Sequence, residues 1–283
     1  MVSTYYRSGL RVLVSGIVIE DGSDRMAYQE RMTMHRTIEI VPVIGMPEVV
    51  VGADLPELIF EASCRSVPVE SGDIVAVAQK VVSKAEGAIV RLDSVEPSDE
   101  AIRIAAVCGK DQRLVQVILN QTVRIVRIGR GVLIVETLHG FVCANAGIDA
   151  SNVPGENTVA ILPVDPVLSA ECLLKGFETR VKGPVGVLIT DSFNRPWRDG
   201  ATNIAIATAG LIPLSDLRGT KDDYGRELLA TLISVADELA GAAQLVMGEV
   251  QGVPAAIIKG TGMASGARGK LTPSRSRERD LFQ

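Results

Sequence analysis

Three short polar, glycine-bearing segments hold the residues of this chain best suited to chemistry: residues 79–87 (QKVVSKAEG), 145–152 (NAGIDASN) and 190–200 (TDSFNRPWRDG). In the first, Lys80 and Lys84 lie at i and i+4, a spacing that turns both ammonium groups the same way on a helix and suits phosphate oxygens. A solvated helix face is the ordinary alternative for such a pair. Asp149 in the second segment and Asp191 in the third offer hard oxygen donors of the kind Mg²⁺ or Mn²⁺ prefers. For a single loop aspartate the competing role is a turn or helix cap. Arg195 and Arg198 bracket Pro196 and Trp197, the only tryptophan. Guanidinium forks beside an aromatic ring suit an anionic, ring-bearing ligand, and a structural Arg stacked on Trp fits the same residues equally well.

The elements that must position these residues alternate along the chain. A β-branched run over 38–43 predicts a strand ending in the turn-forming Gly45, Met46 and Pro47. Asp54 predicts the cap of a short helix reaching about residue 63, and 73–78 reads as a second strand that runs directly into the lysine segment. Ser98 and Asp111 predict caps of two further helices, over 99–107 and up to about 121, followed by strands at 123–128 and 132–135. Residues 145–165, rich in Gly, Asn, Asp and Pro, read as a long functional loop. An apolar strand over 185–189 delivers Asp191 at its end. The clearest helical periodicity covers 224–242, where Leu228, Leu232, Val235, Leu239 and Ala242 recur on one face, and 253–258 supplies a last strand. We expect residues 1–36 to form a flexible extension, 37–260 the folded domain and 261–283 a mobile tail. This pattern predicts an α+β fold.

Composition narrows the chemistry. With 283 residues, 47% hydrophobic and 22% charged, the chain has the composition of a globular protein, and its net charge of −5 speaks against nucleic acid as a partner. An anionic substrate would therefore need locally gathered basic groups or recruited cations. Four cysteines, Cys64, Cys108, Cys143 and Cys172, lack a CxxC pair and only two histidines are present, so zinc is not expected; the cysteines read as small buried hydrophobes. No apolar run has the length of a membrane span. The apolar stretch 12–19 after Arg7 and Arg11 is followed by Glu20 and Asp21 rather than a cleavage site, so we expect a cytoplasmic location without membrane contact. Neither GxxxxGK[ST] nor a GxGxxG after a strand occurs.

In this order, QKVVSKAEG, NAGIDASNV, the LPVDP segment with Ser169, ITDSFNRPWRDG, PLSDLRGTKDDYGREL, VADELA and LVMGE resemble the coenzyme F-420 gamma-glutamyl ligase family. The resemblance covers about residues 38–260, and the terminal DLFQ is similar to the ending of bacterial members. It is to the single-domain form, without the flavin-dependent, nitroreductase-like domain that some members carry. It implies mixed sheets flanked by helices in two interlocked subdomains, assembled as a homodimer. It also implies a ligase that uses GTP and a divalent cation, Mg²⁺ or Mn²⁺, with K⁺ as a further candidate. The reaction joins L-glutamate to the coenzyme F-420 precursor through an acyl phosphate, releasing GDP and phosphate.

Carried over motif by motif, the resemblance places metal ligands at Asp149, Asp191, Ser192 and Glu249, and a nucleotide contact at Asn152. It places the remaining GTP contacts at Met46, Pro47, Glu48 and Val49, at Gln79, Lys80 and Lys84, and along Met247, Gly248, Glu249, Val250, Gln251, Gly252, Val253 and Pro254. Asp149, Asp191 and Lys84 are the catalytic candidates, and Arg195, Trp197 and Arg198 are candidates for holding substrate. Ser192 stands where archaeal members often carry Thr, Glu249 where Gln can occur, and Ala207 where a glycine is often seen. Two other readings are open: a different nucleotide-dependent carboxylate–amine ligase, or a GTP-binding scaffold without catalysis.

Overall fold

A computed structural model describes residues 12–15, 37–271 and 277–280. In chain order, strands β1 (Val12–Ser15) and β2 (Thr37–Pro42) precede helix α1 (Leu55–Cys64), then strand β3 (Ile74–Ala78), helix α2 (Gln79–Glu86) and strand β4 (Ile89–Arg91). Helices α3 (Asp99–Cys108) and α4 (Gln112–Asn120) lead to strands β5 (Thr122–Gly129), β6 (Val132–Thr137), β7 (Val142–Ala144) and β8 (Thr158–Ala160). Helix α5 (Pro166–Glu178) returns the chain to the long hairpin β9 (Gly186–Arg195) and β10 (Arg198–Ala209). Strands β11 (Leu214–Asp216) and β12 (Leu232–Ser234), helix α6 (Val235–Met247) and strands β13 (Ala255–Lys259) and β14 (Lys270–Leu271) complete it.

A seven-stranded sheet, in the order β1-β2-β13-β3-β9-β10-β14, organises the molecule; β3 and β9 run parallel, and the other neighbours antiparallel. Its central strands read as nearly continuous apolar runs because both faces are covered. Successive side chains alternate between faces. Val75, Val77, Val187, Ile189 and Ile257 therefore pack with Leu55 and Ile59 of α1 and with Leu173 and Phe177 of α5. Their neighbours Ile74, Ala76, Leu188, Ala256 and Ile258 pack on the other face with Ala236, Leu239, Ala240 and Ala243 of α6.

Between α2 and α5 the chain leaves this sheet and builds a smaller core. There α3 and α4 pack Ala101, Ile104, Val115 and Ile118 against Leu133 and Val135 of the three-stranded sheet β5-β6-β7. Strands β4 and β8 pair antiparallel beside it. The expected caps are in place: Asp54 accepts from Glu57 N–H at 2.9 Å, Ser98 from Ala101 N–H at 3.2 Å and Asp111 from Arg113 N–H at 2.8 Å. The architecture is α+β, as the alternation of elements predicts.

The structure differs from the sequence expectations at several places. The helix expected over 224–242 begins only at Val235. Upstream, Asp222 accepts from the N–H groups of Tyr224 and Arg226 at 2.9 and 2.8 Å, Gly225 takes φ 79°, and β12 pairs with β11; these local bonds satisfy the backbone without a helix. Val235 and Leu239 belong to the buried helical face, whereas Leu232 is an exposed strand residue. Asp191 does not end a strand, because β9 continues to Arg195 and turns into β10. Of the expected extension 1–36, Val12–Ser15 pairs with β2, and the rest lies outside the described residues. In the expected tail, Lys270–Leu271 pairs with β10 and Gly269 N–H donates to Glu171 at 3.0 Å; residues 281–283 lie outside the described residues. Among the cysteines, Cys108 and Cys143 are buried as expected, but Cys64 and Cys172 are exposed on α1 and α5.

Helices α1 and α5 touch where Gly176 meets Pro56, and a Cβ at position 176 would lie 2.4 Å from the proline ring. That ring is rigid and sits in the first turn of α1, so the helices themselves would have to move. Gly176→Ala is expected to destabilise the protein by about 1–3 kcal/mol, read as a lower urea midpoint at unchanged slope. An unchanged midpoint would mean that this helix contact is not close-packed.

Candidate active site

The parallel pairing of β3 with β9 decides where the chemistry sits. Ala78 is in register with Thr190, so Gln79 and Lys80 leave the sheet at the level where Asp191 stands, at the carboxyl end of β3, while β9 runs on. Such ends open into crevices in α/β sheets. Here the crevice is a cavity of about 580 Å³ whose walls include Lys80 and Lys84, Asp149, Asp191, Ser192, the turn bearing Met46, Pro47, Glu48 and Val49, and the loop bearing Met247, Gly248 and Glu249. Asn152, Val250, Gly252, Val253 and Pro254 also line it. The opening of α2 carries no side-chain cap, which leaves its first N–H groups available to an anion.

Neither lysine is a solvated surface group. Lys84 is 8% exposed and pairs with Glu48 at 2.5 Å; Lys80 is 20% exposed and reaches Asp149 at 2.6 Å and the Ser151 hydroxyl at 2.8 Å. Asp149 combines both roles considered for it. One carboxylate oxygen accepts from Ser151 N–H at 2.7 Å as a turn cap, and the other meets Lys80. It follows a run of left-handed residues, Asn145, Ala146 and Gly147, and is tied to Ala160 by two backbone hydrogen bonds. Burial raises the Asp149 carboxyl, but Lys80 and the Ser151 N–H more than offset it and hold it below the usual value.

Asp191 behaves in the opposite way. Burial, reinforced by the charge of Asp149, pushes its carboxyl up to about 7, against the hydrogen bonds it receives from Ser192 N–H and the Gln79 side chain. Beneath it, burial and the Asp191 charge push the Cys143 thiol up to about 12, so this cysteine stays protonated and unreactive. The Ser192 hydroxyl lies 2.8 Å from Glu249, which brings the last two proposed ligands together. Among the described residues no three His, Cys, Asp or Glu side chains form a cluster able to grip a metal by themselves. Asp149, Asp191, Ser192 and Glu249, all among the lining residues, nevertheless offer hard oxygen donors that suit Mg²⁺ or Mn²⁺, which commonly complete their shells with phosphate oxygens and water.

Other expected residues fall elsewhere. Gln251 is not among the lining residues; its side-chain amide oxygen Oε1 accepts from Val250 N–H at 3.0 Å. Gln79 lines the cavity but is only 2% exposed, with its amide engaged by Ser83 and Asp191, so it orients the carboxylate as well as lining the wall. Arg195, Trp197 and Arg198 do not line the cavity. They sit at the tip of the β9–β10 hairpin, where Arg195 donates to the carbonyls of Asp199 and Gly200 and Trp197 is 77% exposed. Sequence reasoning did not single out Thr190 or Asn203, both part of the wall, or Gln244 behind it. Their polarity amid apolar strand and helix residues was the available signal.

Basic side chains and carboxylates thus converge on one cavity of an α+β fold. Residues 43–260 match the family model described as F420-0:Gamma-glutamyl ligase. The chain is 44% identical over 250 residues to the coenzyme F420:L-glutamate ligase of Methanothermobacter thermautotrophicus, covering 87% of this chain and 99% of the relative. It is 42% identical to the protein of that name from Methanocaldococcus jannaschii, over 83% and 96% of the two chains, and 44% identical to that of Methanopyrus kandleri, over 87% and 98%. The chain belongs to the F420-0:gamma-glutamyl ligase family.

The Asp191 shift has a consequence for stability. A carboxyl raised from 3.8 to about 7 takes up a proton on folding, so its contribution to stability is present at low pH and is lost as pH rises towards and through 7. Asp191→Asn removes this titration. Without added metal, the stability of the variant relative to wild type should improve steadily from pH 5 to pH 8 in thermal or urea unfolding; a difference independent of pH would contradict the assigned burial.

Proposed function

We propose that this protein is a GTP-dependent ligase that forms an amide between L-glutamate and the lactyl carboxylate of the coenzyme F420 precursor. The observation that carries the reading is the convergence of Lys80, Lys84, Asp149 and Asp191 on one cavity at the carboxyl end of β3, beside β9. The name shared by the relatives supports the two substrates. GTP and the acyl phosphate follow from the family resemblance and the chemistry.

A carboxylate is a poor acyl donor because direct attack by an amine would have to expel oxide. In the proposed sequence a carboxylate oxygen of the precursor attacks the γ-phosphorus of GTP, and the bond to the GDP oxygen breaks. The glutamate amine then attacks the acyl carbon, the carbon–oxygen bond to phosphate breaks, and the amine proton passes to solvent or a nearby base. The products are the amide, GDP and inorganic phosphate. No covalent bond to the protein forms.

The turn Met46 to Val49, Lys80, Lys84, Asn152 and the loop from Met247 to Pro254 would hold the nucleotide, with the two ammonium groups facing its phosphates. Asp149, Asp191, Ser192 and Glu249 would hold Mg²⁺ or Mn²⁺. Such an ion, when bound, offsets the charge gathered by triphosphate and carboxylate. K⁺ as an additional ion, a homodimer and a cytoplasmic location complete the proposal, each on the resemblance alone.

Precursor labelled with ¹⁸O in its carboxylate, incubated with GTP, Mn²⁺ and L-glutamate, tests the reading. It predicts a glutamyl adduct by mass spectrometry and one ¹⁸O atom in the released phosphate. An adduct with unlabelled phosphate would exclude the acyl phosphate. Adduct formation with ATP but not with GTP would overturn the nucleotide assignment, and no adduct with either would overturn the ligase.

A further inference from the structure

Glu249 stands on an exposed turn just after α6, a poor place from which to hold a ligand unless something fixes it. Gly248 before it takes φ 61° and ψ −167°, a conformation essentially confined to glycine, and its N–H donates to the carbonyl of Gln244 at 2.9 Å. The side chain of the same Gln244 spans the gap between the turn and the sheet. Its amide oxygen accepts from Asn203 N–H on β10 at 2.7 Å, and its amide nitrogen donates to Glu249 Oε1 at 2.9 Å. A backbone N–H can only donate, so the oxygen must face Asn203 and the nitrogen must face the carboxylate.

The same carboxylate oxygen lies 2.8 Å from the Ser192 hydroxyl, which has a second acceptor in Asn203 Oδ1 at 2.7 Å. Asn203 is the cross-strand partner of Ser192, and its own amide nitrogen reaches Thr190 at 3.4 Å. Gln244 therefore closes a ring of polar groups, Gln244–Glu249–Ser192–Asn203–Gln244, that ties an exposed turn to the interior strands. Ser192 has one hydrogen for two acceptors, so Glu249 relies on the Gln244 amide as the donor that is not shared.

We infer that Gln244 is a positioning residue that presents Glu249 and Ser192 to the cation-binding side of the cavity. This rests on the proposed nucleotide and cation site and goes beyond it by naming what aligns half of that site. Gln244 does not line the cavity, so it acts through Glu249. Loss of such an outer hydrogen-bonding partner typically weakens metal binding by about 10- to 100-fold.

The test measures Mn²⁺ uptake by the whole chain, from the electron paramagnetic resonance signal of the free aquo ion, with a non-hydrolysable GTP analogue present. Gln244→Met keeps length and removes both hydrogen bonds. Gln244→Glu keeps the acceptor for Asn203 N–H and sets an oxygen against Glu249, which guards against a folding defect in the first variant. Metal-free melting curves check the fold. Both variants should bind Mn²⁺ at least about 10-fold more weakly than wild type. Adding Gln244→Met to Glu249→Gln should weaken binding no further, because both act through one carboxylate. Wild-type affinity in either folded variant, or full additivity in the double variant, overturns the positioning role. If wild-type protein itself takes up no Mn²⁺ with the analogue, the reading of the site fails and this inference fails with it.

Discussion

Burial of Asp191 beside the charged Asp149 is the constraint around which the rest of the site is arranged. Four carboxylates line the cavity, Glu48, Asp149, Asp191 and Glu249, against two ammonium groups, Lys80 and Lys84. Both ammonium groups are already engaged, Lys84 by Glu48 and Lys80 by Asp149. Asp191 is buried beside Asp149, and its carboxyl is pushed up to about 7. A cavity built this way is poorly suited to a bare triphosphate and well suited to a triphosphate that brings cations with it. In a chain of net charge −5, the proposed reading has the local field change sign only when nucleotide and cation are both bound.

The scaffold turns this constraint into a fixed geometry. Parallel pairing brings the end of β3 beside Thr190 and Asp191 of β9, and the coverage of both sheet faces by α1, α5 and α6 leaves the carboxyl end of β3 as the opening. The inserted unit supplies Asp149 from a left-handed turn pinned to β8 through Ala160, so the second carboxylate comes from a different layer of the fold. The turn after α6 supplies the third. Three separately anchored segments thus meet across the cavity, and each acidic group is held by neighbouring polar contacts, with Lys80 and the Ser151 N–H at Asp149, Gln79 and the Ser192 N–H at Asp191, and Gln244 at Glu249.

Much of this was legible in the sequence. Helices with a cap residue and a buried stripe, such as those begun by Asp54, Ser98 and Asp111, announce themselves locally, and the apolar runs of β3, β9 and β13 can only be buried strands. The two lysines and Asp191 were visible as polar residues following such runs, and Asp149 as a carboxylate in a glycine-bearing loop. What could not be read depends on partners distant in sequence. The β9–β10 hairpin carries Asp191 inside a strand because Ile204 lies opposite it, and nothing near residue 191 encodes that pairing. The stretch before Val235 has helical spacing, yet Asp222 and Gly225 fold it into turns. Asn203 and Gln244 went unnoticed since an isolated amide on a strand or helix acquires meaning only when its contacts are known.

The central claim is that the site is incomplete in charge until nucleotide and cation arrive together. The measurement that bears on it most directly is the melting temperature with Mn²⁺ alone, GTP alone and both, because ligands stabilise a fold according to their affinity for it. The account predicts small shifts for either ligand and a combined shift clearly larger than their sum. Shifts that merely add, or a full shift with GTP in the presence of a chelator, would contradict it.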